Sequence, residues 1–383
     1  MAERIYLDWN ATTPLRPEAK AAMAHAWESG GNPSSVHAEG REARRLVEDA
    51  RAAVAASVGA ETQNVIFTSG GTEANSLALT PGVRRGKGPA MERLLVSAIE
   101  HASVLAGGRF ATEAIRTIGV SREGIVDLDR LRALLDGPPA LVSIMLANNE
   151  TGAIQPVAEA SEIVHGADGL LHVDAIQALG KIPFDLASTG ADLLSLSAHK
   201  IGGPKGVGAL VLAEGVEGLA PLLRGGGQEK GRRAGTEDVA GIAGFGAAAK
   251  AALAGRERDA SRVEGLRGRL ETGLTQTPGA VLFAGEVRRL PNTVLFAIPG
   301  MRAETAVIGF DLAGIAVSSG SACSSGKVQP SHVVEAMGFG PELAQGAVRL
   351  SLGWSTAEAD IDSALEAWRK LADGLLRGRR NTA

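Results

Sequence analysis

The chain has 383 residues, 45% of them hydrophobic, with 50 glycines, a single cysteine and an aromatic complement of 8 Phe, 4 Trp and 1 Tyr. One thiol excludes a disulfide framework, a cysteine-ligated zinc site and an iron–sulfur cluster held by the chain alone, which leaves Cys323 with burial or chemistry. Lys plus Arg (39) nearly balances Asp plus Glu (43), and with so few aromatics neither an electrostatic footprint for nucleic acid nor a base-stacking platform is expected.

A length of this order implies about two domains. Residues 1–10 carry Glu3, Arg4 and Asp8 with no apolar stretch, so no secretory signal is expected. No uncharged apolar run reaches the roughly 18 residues of a membrane span. With a free thiol, these features point to a cytoplasmic protein that contacts no membrane.

From residue 41 to residue 213, short β-rich apolar runs alternate with Ala-rich helical stretches, the pattern of a parallel sheet covered by helices on both faces. Strands are predicted at 65–68, 93–98, 141–146, 170–174, 193–197 and 209–212, and helices at 39–58, 72–79, 103–113, 128–135 and 157–164. Residues 239–254 read as a long Ala-rich helix, continued by 255–271 as a solvated one. Shorter strands follow at 281–283, 293–297, 315–318 and 347–351, separated by helices. This is an α/β chain with a large doubly wound domain over 13–255 and a smaller α+β domain made of 1–12 and 256–383.

Ligands bind an open parallel sheet at the carboxyl ends of its strands. Strand 65–68 runs into Ser69-Gly70-Gly71-Thr72 and a helix, an arrangement that offers backbone N–H groups and a helix dipole to a phosphate. Strand 93–98 delivers Glu100 and His101, strand 141–146 delivers Asn148, Asn149 and Glu150, strand 170–174 ends in Asp174 with Gln177 behind it, and strand 193–197 leads into Ser197-Ala198-His199-Lys200. Any one of these groups is ordinary surface decoration. Together they match the needs of pyridoxal phosphate: a lysine for the Schiff base, a carboxylate for the pyridinium nitrogen, a phosphate site and a group to pack on the ring. Lys200, once free, is also a base for Cα–H.

The ordered series Ala11-Thr12-Thr13-Pro14, Gly31-Asn32-Pro33-Ser34-Ser35, Phe67-Thr68-Ser69-Gly70, Glu100-His101, Asn148-Asn149-Glu150, His172-Val173-Asp174, His199-Lys200, Arg233-Ala234-Gly235-Thr236, Ser318-Ser319-Gly320-Ser321-Ala322-Cys323 and Arg349-Leu350-Ser351-Leu352-Gly353 resembles the pyridoxal-phosphate-dependent cysteine desulfurases of the NifS/IscS type, in the class V aminotransferase family of fold type I. The resemblance runs from Tyr6 to about Trp354. It implies that Lys200 forms the Schiff base, Asp174 pairs with the ring nitrogen, Gln177 meets the phenolic oxygen and His101 stacks on the ring. Gly71, Thr72, Ser197 and His199 are implied as phosphate ligands, joined by Thr236 of a second subunit, hence a homodimer. Arg349 is implied to hold the substrate carboxylate, with Asn149 assisting near the ring. Trp9 and Asn10 depart from the residue types expected there, and no chemical role is expected of them.

The Ser/Gly-rich stretch 318–326 resembles the longer cysteine loop of the NifS/IscS group rather than that of the SufS group. The implied reaction converts L-cysteine to L-alanine and leaves a persulfide on Cys323, whose thiol, with an ordinary pKa of about 8.5, needs a base or positive field. His101 is the candidate base. With no second thiol in the chain, the persulfide passes only to another molecule, such as a NifU/IscU-type scaffold in iron–sulfur cluster assembly. No metal site within the chain is expected, beyond contact of Cys323 with a transferred cluster. Selenocysteine lyase, an aminotransferase of the same fold and a non-catalytic sulfur-assembly scaffold are the alternatives.

Gly244-Phe245-Gly246-Ala247-Ala248-Ala249 matches the loose dinucleotide fingerprint but falls inside a predicted helix, where it reads as helix packing. His172-Val173-Asp174 with a distant histidine superficially suggests a facial metal triad, against which the helix alternation argues. His25 and His165 are expected to be solvated and His172 to be a satisfied strand residue. Arg349 has a bland alternative, pointing to solvent from an edge strand.

Overall fold

A computed structural model describes residues 4–320 and 329–380, with side chains to residue 374. Cys323 lies outside the described residues. Among them, seven strands form one sheet in the order Val65–Thr68, Gly208–Leu212, Leu193–Ser197, Leu170–Asp174, Leu141–Met145, Leu94–Ser97, Ile115–Ile118. All neighbours pair in parallel except around Gly208–Leu212, which is antiparallel to both of its partners. That strand follows Leu193–Ser197 after a connection holding only a 3-10 turn at Ala198–Lys200, too short for the helical crossover of about a dozen residues that a parallel return requires. The sheet is therefore mostly parallel.

Alternate residues of each strand enter different cores, which is why the strands read as continuous apolar runs. Phe67, Val142, Leu171, Leu194 and Val211 face one helical layer, while Ile66, Leu94, Leu170, Leu193 and Leu210 face the other. The Ile115–Ile118 strand escapes the sequence pattern because its middle residues are exposed at the sheet edge. Conversely, the helix expected over 103–113 stops after Ala102–Leu105. Gly107 and Gly108 adopt φ of 76° and 57°, and a Cβ at Gly108 would fall 2.4 Å from Leu79, so the chain turns away there.

The Ala-rich segment is one 37-residue helix, Val239–Thr275. Its first half packs through small residues: a Cβ on Gly244 would meet Met23 at 2.7 Å, and one on Gly246 would meet Ala50 at 2.6 Å. The packing role expected of this glycine pair is the observed one. The second half is not a solvated helix. Val263, Leu266, Leu270 and Leu274 are buried in a second core with Val294, Phe296, Phe310 and Trp368, while the Arg/Glu positions between them cover the outer face.

That second core lies on one face of an antiparallel four-stranded sheet, ordered Val281–Leu282, Thr293–Ala297, Val348–Ser351, Ser318–Ser319. Its other face, with Leu295 and Ala297, packs on Ile99 and Met145 at the carboxyl ends of the large sheet. The N-terminal Ile5–Tyr6 strand joins this side of the molecule by pairing with Ile315–Ala316, and Asp8 bridges to Ser351. The two sheets thus meet across the strand ends that carry the candidate functional residues.

Leu270→Ala is predicted to lower stability by about 2–5 kcal/mol through the cavity it leaves, read as a fall in the urea midpoint. A change within about 0.5 kcal/mol, typical of exposed positions, would restore the solvated-helix view.

Candidate active site

Gly71, Thr72, His101, Asn149, Asp174, Gln177, Ser197, His199, Lys200 and Arg349 all line one cavity between the two sheets. Thr236 does not. It is exposed and borders a separate hollow with Ser69 and Gly235.

Asp174 ends its strand with the carboxylate buried. Its Oδ1 accepts the Ile176 N–H at 3.0 Å, and its Oδ2 accepts an Asn75 amide hydrogen at 2.8 Å. Burial nonetheless pushes its pKa up, opposed by these donors and by the nearby charges of His101 and Lys200.

Lys200 follows the neighbouring strand. Its Nζ donates to the backbone carbonyls of Asn10 at 2.5 Å and Ala11 at 2.8 Å. Burial first, then the positive charge of Arg349, lowers its pKa to about 8, against the pull of Asp8 and Asp174. An appreciable fraction of this amine is therefore neutral and nucleophilic near physiological pH.

His101 caps the short helix Ala102–Leu105: its Nδ1 accepts the Ser103 N–H at 3.1 Å and lies 2.8 Å from the Ser103 hydroxyl. With Nδ1 occupied as an acceptor, the neutral ring carries its proton on Nε2. Desolvation lowers its pKa, which favours that neutral form. Asn75 also donates to Ser103 Oγ at 2.9 Å, so one buried carboxamide links the partner of His101 to Asp174.

The helix Gly71–Ala78 points its amino end into the cavity with no side-chain cap. A Cβ on Gly71 would fall 2.3 Å from Ile176, so only glycine lets the backbone lie this close. Ser197 Oγ is buried beside it without a hydrogen-bond partner. His199 joins them, its Nδ1 3.2 Å from Thr12 Oγ1 and its pKa pushed down to about 4, chiefly by burial.

Arg349 does not point to solvent from a sheet edge. Its strand lies between two others, and the side chain is 1% exposed. Register sets its direction: Arg349 pairs with Leu295, on the face opposite Val348 and Leu350, so it faces the large sheet. Nη2 donates to Asp8 at 2.8 Å and Nη1 to the Asn149 carbonyl at 3.0 Å, while Nε is unpartnered.

Asn10, of which the sequence suggests no chemical role, is a polar hub of the site. It is 1% exposed and holds Lys200, Gln177, Lys181, Asn292, Thr293, Asn149 and Ser351 in one hydrogen-bonded junction. Trp9 beside it stacks edge-on to Trp354 at 4.6 Å and leaves no room for a Cβ on Gly353. Asn75, Ser103 and Lys181 also escape a reading of the sequence. For Asn75 a signal exists, a polar residue among Ala74, Leu77 and Ala78 on the buried side of its helix. For Asn10 there is none, since its partners come from distant parts of the chain.

Glu100 and Glu150 brace the site from behind. Glu100 Oε1 accepts the Met145 N–H at 2.7 Å, and burial holds its carboxyl well above the ordinary range. Glu150 accepts the Ser331 hydroxyl at 2.5 Å and is pushed up to about 7, mainly by burial. His172 is the satisfied strand residue expected, between Ser143 and Ser195 with its pKa pushed down to about 3 by burial. His165 is not merely solvated, since its Nε2 lies 2.9 Å from buried Asp192. No group of three His, Cys, Asp or Glu side chains among the described residues could hold a metal ion.

An aminotransferase class-V family model matches residues 5–364. The chain is 46% identical to a cysteine desulfurase of Cereibacter sphaeroides, over 97% of each protein. It is 41% identical to the cysteine desulfurase IscS of Dictyoglomus turgidum, over 98% of this chain and 96% of that protein. Among solved structures, a NifS-like protein from Rickettsia africae superposes with a TM-score of 0.88 at 37% identity, covering 97% of this chain and 100% of that one. A match of this extent, on a chain whose cavity gathers an amine, a carboxylate, an imidazole and a guanidinium at the strand ends, decides its kinship: the chain belongs to the aminotransferase class-V family of pyridoxal-phosphate-dependent enzymes.

Proposed function

We propose that this protein is a cysteine desulfurase, taking sulfur from L-cysteine, releasing L-alanine and leaving a persulfide on Cys323. The observation that carries the proposal is the cavity that places Lys200, Asp174, His101 and Arg349 around one space.

The residues fit pyridoxal phosphate on physical grounds. The unpartnered Ser197 hydroxyl and the uncapped amino end of Gly71–Ala78 form a site for a phosphate, with Thr72 and His199 at its edge. Asp174 has only neutral donors on its oxygens, and a protonated ring nitrogen would relieve its burial. Gln177 Oε1 is taken by Lys181 and one N–H of its amide by the Asn10 carbonyl, so its second N–H is the part left to meet a ring oxygen. When bound, the cofactor supplies a carbonyl for amines and an electron sink for bonds at the substrate Cα.

The chain supplies the rest. Lys200 would take the proton from the substrate Cα; its lowered pKa leaves part of it neutral and able to accept one. Arg349 is held in place by Asp8 and the Asn149 carbonyl and offers its remaining N–H groups to the substrate carboxylate, which Asn149 helps to orient. His101 lines the cavity and would pack against the cofactor ring, with its proton on Nε2. Because its Nδ1 is tied to Ser103, it becomes a base for the Cys323 thiol only after that proton has left Nε2. In the sulfur step the Cys323 thiolate attacks the substrate sulfur: an S–S bond forms, the C–S bond breaks, and its electron pair stays on carbon, which gains a proton on the way to alanine.

Thr236 is the phosphate ligand of a neighbouring subunit, so we read the active unit as a homodimer; its exposure outside the cavity of its own chain supports this. Residues 13–255 form the cofactor-binding unit, and 1–12 with 256–383 the smaller one. The chain's only cysteine cannot resolve its own persulfide, which supports delivery to an acceptor of the NifU/IscU kind in iron–sulfur cluster or sulfur-cofactor assembly. No helix among the described residues is long and apolar enough to cross a membrane, and we place this work in the cytoplasm.

Two outcomes are expected. The cofactor-free protein should take up pyridoxal phosphate at a rate that rises with pH through a midpoint near 8 and then levels off, because only the neutral amine reacts. A rate still climbing toward the value of about 10.4 of an ordinary lysine would contradict the assignment of Lys200. Cys323→Ser should keep the bound cofactor's visible absorbance yet release no alanine from L-cysteine; alanine released by this variant at the parent rate would remove Cys323 from the mechanism.

A further inference from the structure

Asn10 carries a donor pair and an acceptor on one short side chain, and the fold uses all of it. Nδ2 donates to Thr293 Oγ1 at 2.8 Å and to the Asn149 carbonyl at 3.2 Å, and Oδ1 accepts from Lys181 Nζ at 3.1 Å and Asn292 Nδ2 at 3.0 Å. Its backbone N–H is tied to Ser351 Oγ at 2.9 Å. The backbone carbonyl, thus immobilised, receives both Lys200 Nζ and the Gln177 amide. No other residue type of this size satisfies the same partners: aspartate lacks the donors, serine has one donor hydrogen where two are needed, and alanine leaves Lys181 and Asn292 without their Asn10 acceptor in a buried space.

We infer that Asn10 is a positioning residue for the Lys200 amine: clamped by Lys181, Asn292, Thr293 and Asn149, it fixes the carbonyls of residues 10 and 11 as the place where the free amine rests. The inference builds on the role proposed above for Lys200. Two carbonyl oxygens at hydrogen-bond distance favour the ammonium form and partly offset its burial, so the clamp also sets how readily the amine loses its proton. The other charges facing Lys200 are Arg349, Asp8 and Asp174, with His101, His199 and Lys181 nearby. None of them is removed by a change at Asn10. The clamp spans both sheets, since Thr293 and Ser351 belong to the small one and Lys200 and Gln177 follow strands of the large one. The resting place of the amine therefore depends on how the two halves are joined.

The test is the pH dependence of pyridoxal phosphate uptake by cofactor-free protein, followed by absorbance, for the parent, Asn10→Ala, Asn10→Asp and Thr293→Val. Loosening the carbonyls in Asn10→Ala should move the midpoint down by about 0.5–1 pH unit, a roughly 3- to 10-fold larger reactive fraction below the midpoint. Asn10→Asp places a carboxylate near the amine and should move it up. Thr293→Val removes one acceptor of the clamp without touching Lys200 and should give a smaller downward shift, so the inference stays testable if the Asn10 variants fail to fold. Midpoints unchanged in every folded variant, with thermal stability alone reduced, would make Asn10 a purely structural residue and overturn the inference. Lys200→Ala separates the two levels. A borohydride-fixable adduct still formed by it would overturn the role of Lys200 and this inference with it, whereas its loss alongside unmoved Asn10 midpoints would overturn only the latter.

Discussion

Asp174, Lys181, Lys200 and Arg349 share one buried region, and the site depends on how the desolvation of these four ionisable groups is offset. An isolated charge taken from water into a protein interior costs several kcal/mol unless it is paired, hydrogen-bonded or neutralised. Each is handled differently. Arg349 is paired with Asp8, Lys200 rests on two backbone carbonyls, Lys181 is held by two amide oxygens and driven well below its ordinary pKa, and Asp174 keeps neutral donors and an elevated pKa. The least compensated group is the carboxylate, which a cationic ring would complement. Of the two amines with a lowered pKa, Lys200 is the one that lines the cavity, where the proposed chemistry needs a nucleophile and base. The proposed function and the local destabilisation fall on the same residues.

The geometry follows from topology more than from any single bond. A mostly parallel sheet brings the ends of noncontiguous strands to one edge, and the antiparallel small sheet closes over that edge with Leu295 and Ala297 packed on Ile99 and Met145. The period-2 alternation of Val348-Arg349-Leu350 buries valine and leucine in the small core and sends the arginine across to the large sheet. A one-residue slip in that register would bury the guanidinium in the apolar core and empty the cavity of the arginine that lines it.

Much of this is legible in the amino-acid sequence, for a physical reason. Strands buried on both faces show as continuous apolar runs, and polar residues directly after such runs are conspicuous, so Asp174, Lys200 and His101 stand out from their positions along the chain. Segments fail where local signals are weak or contradicted. Ile115–Ile118 is half exposed, the helix near Ser103 is cut short by two glycines in left-handed conformation, and the tail of Val239–Thr275 hides a buried leucine stripe among charges. Asn10 fails for a deeper reason. Its importance lies in hydrogen bonds to residues between 139 and 341 positions away, which no local pattern records.

In the proposed function, sulfur leaves L-cysteine in this cavity and arrives on Cys323. Its most direct test is a single turnover with isotopically labelled L-cysteine, followed by peptide mass analysis and alanine quantitation in the same sample. One labelled sulfur on the peptide containing Cys323 is expected for each alanine released. Alanine formed in equal amount with the labelled sulfur released and an unmodified Cys323 peptide would overturn it.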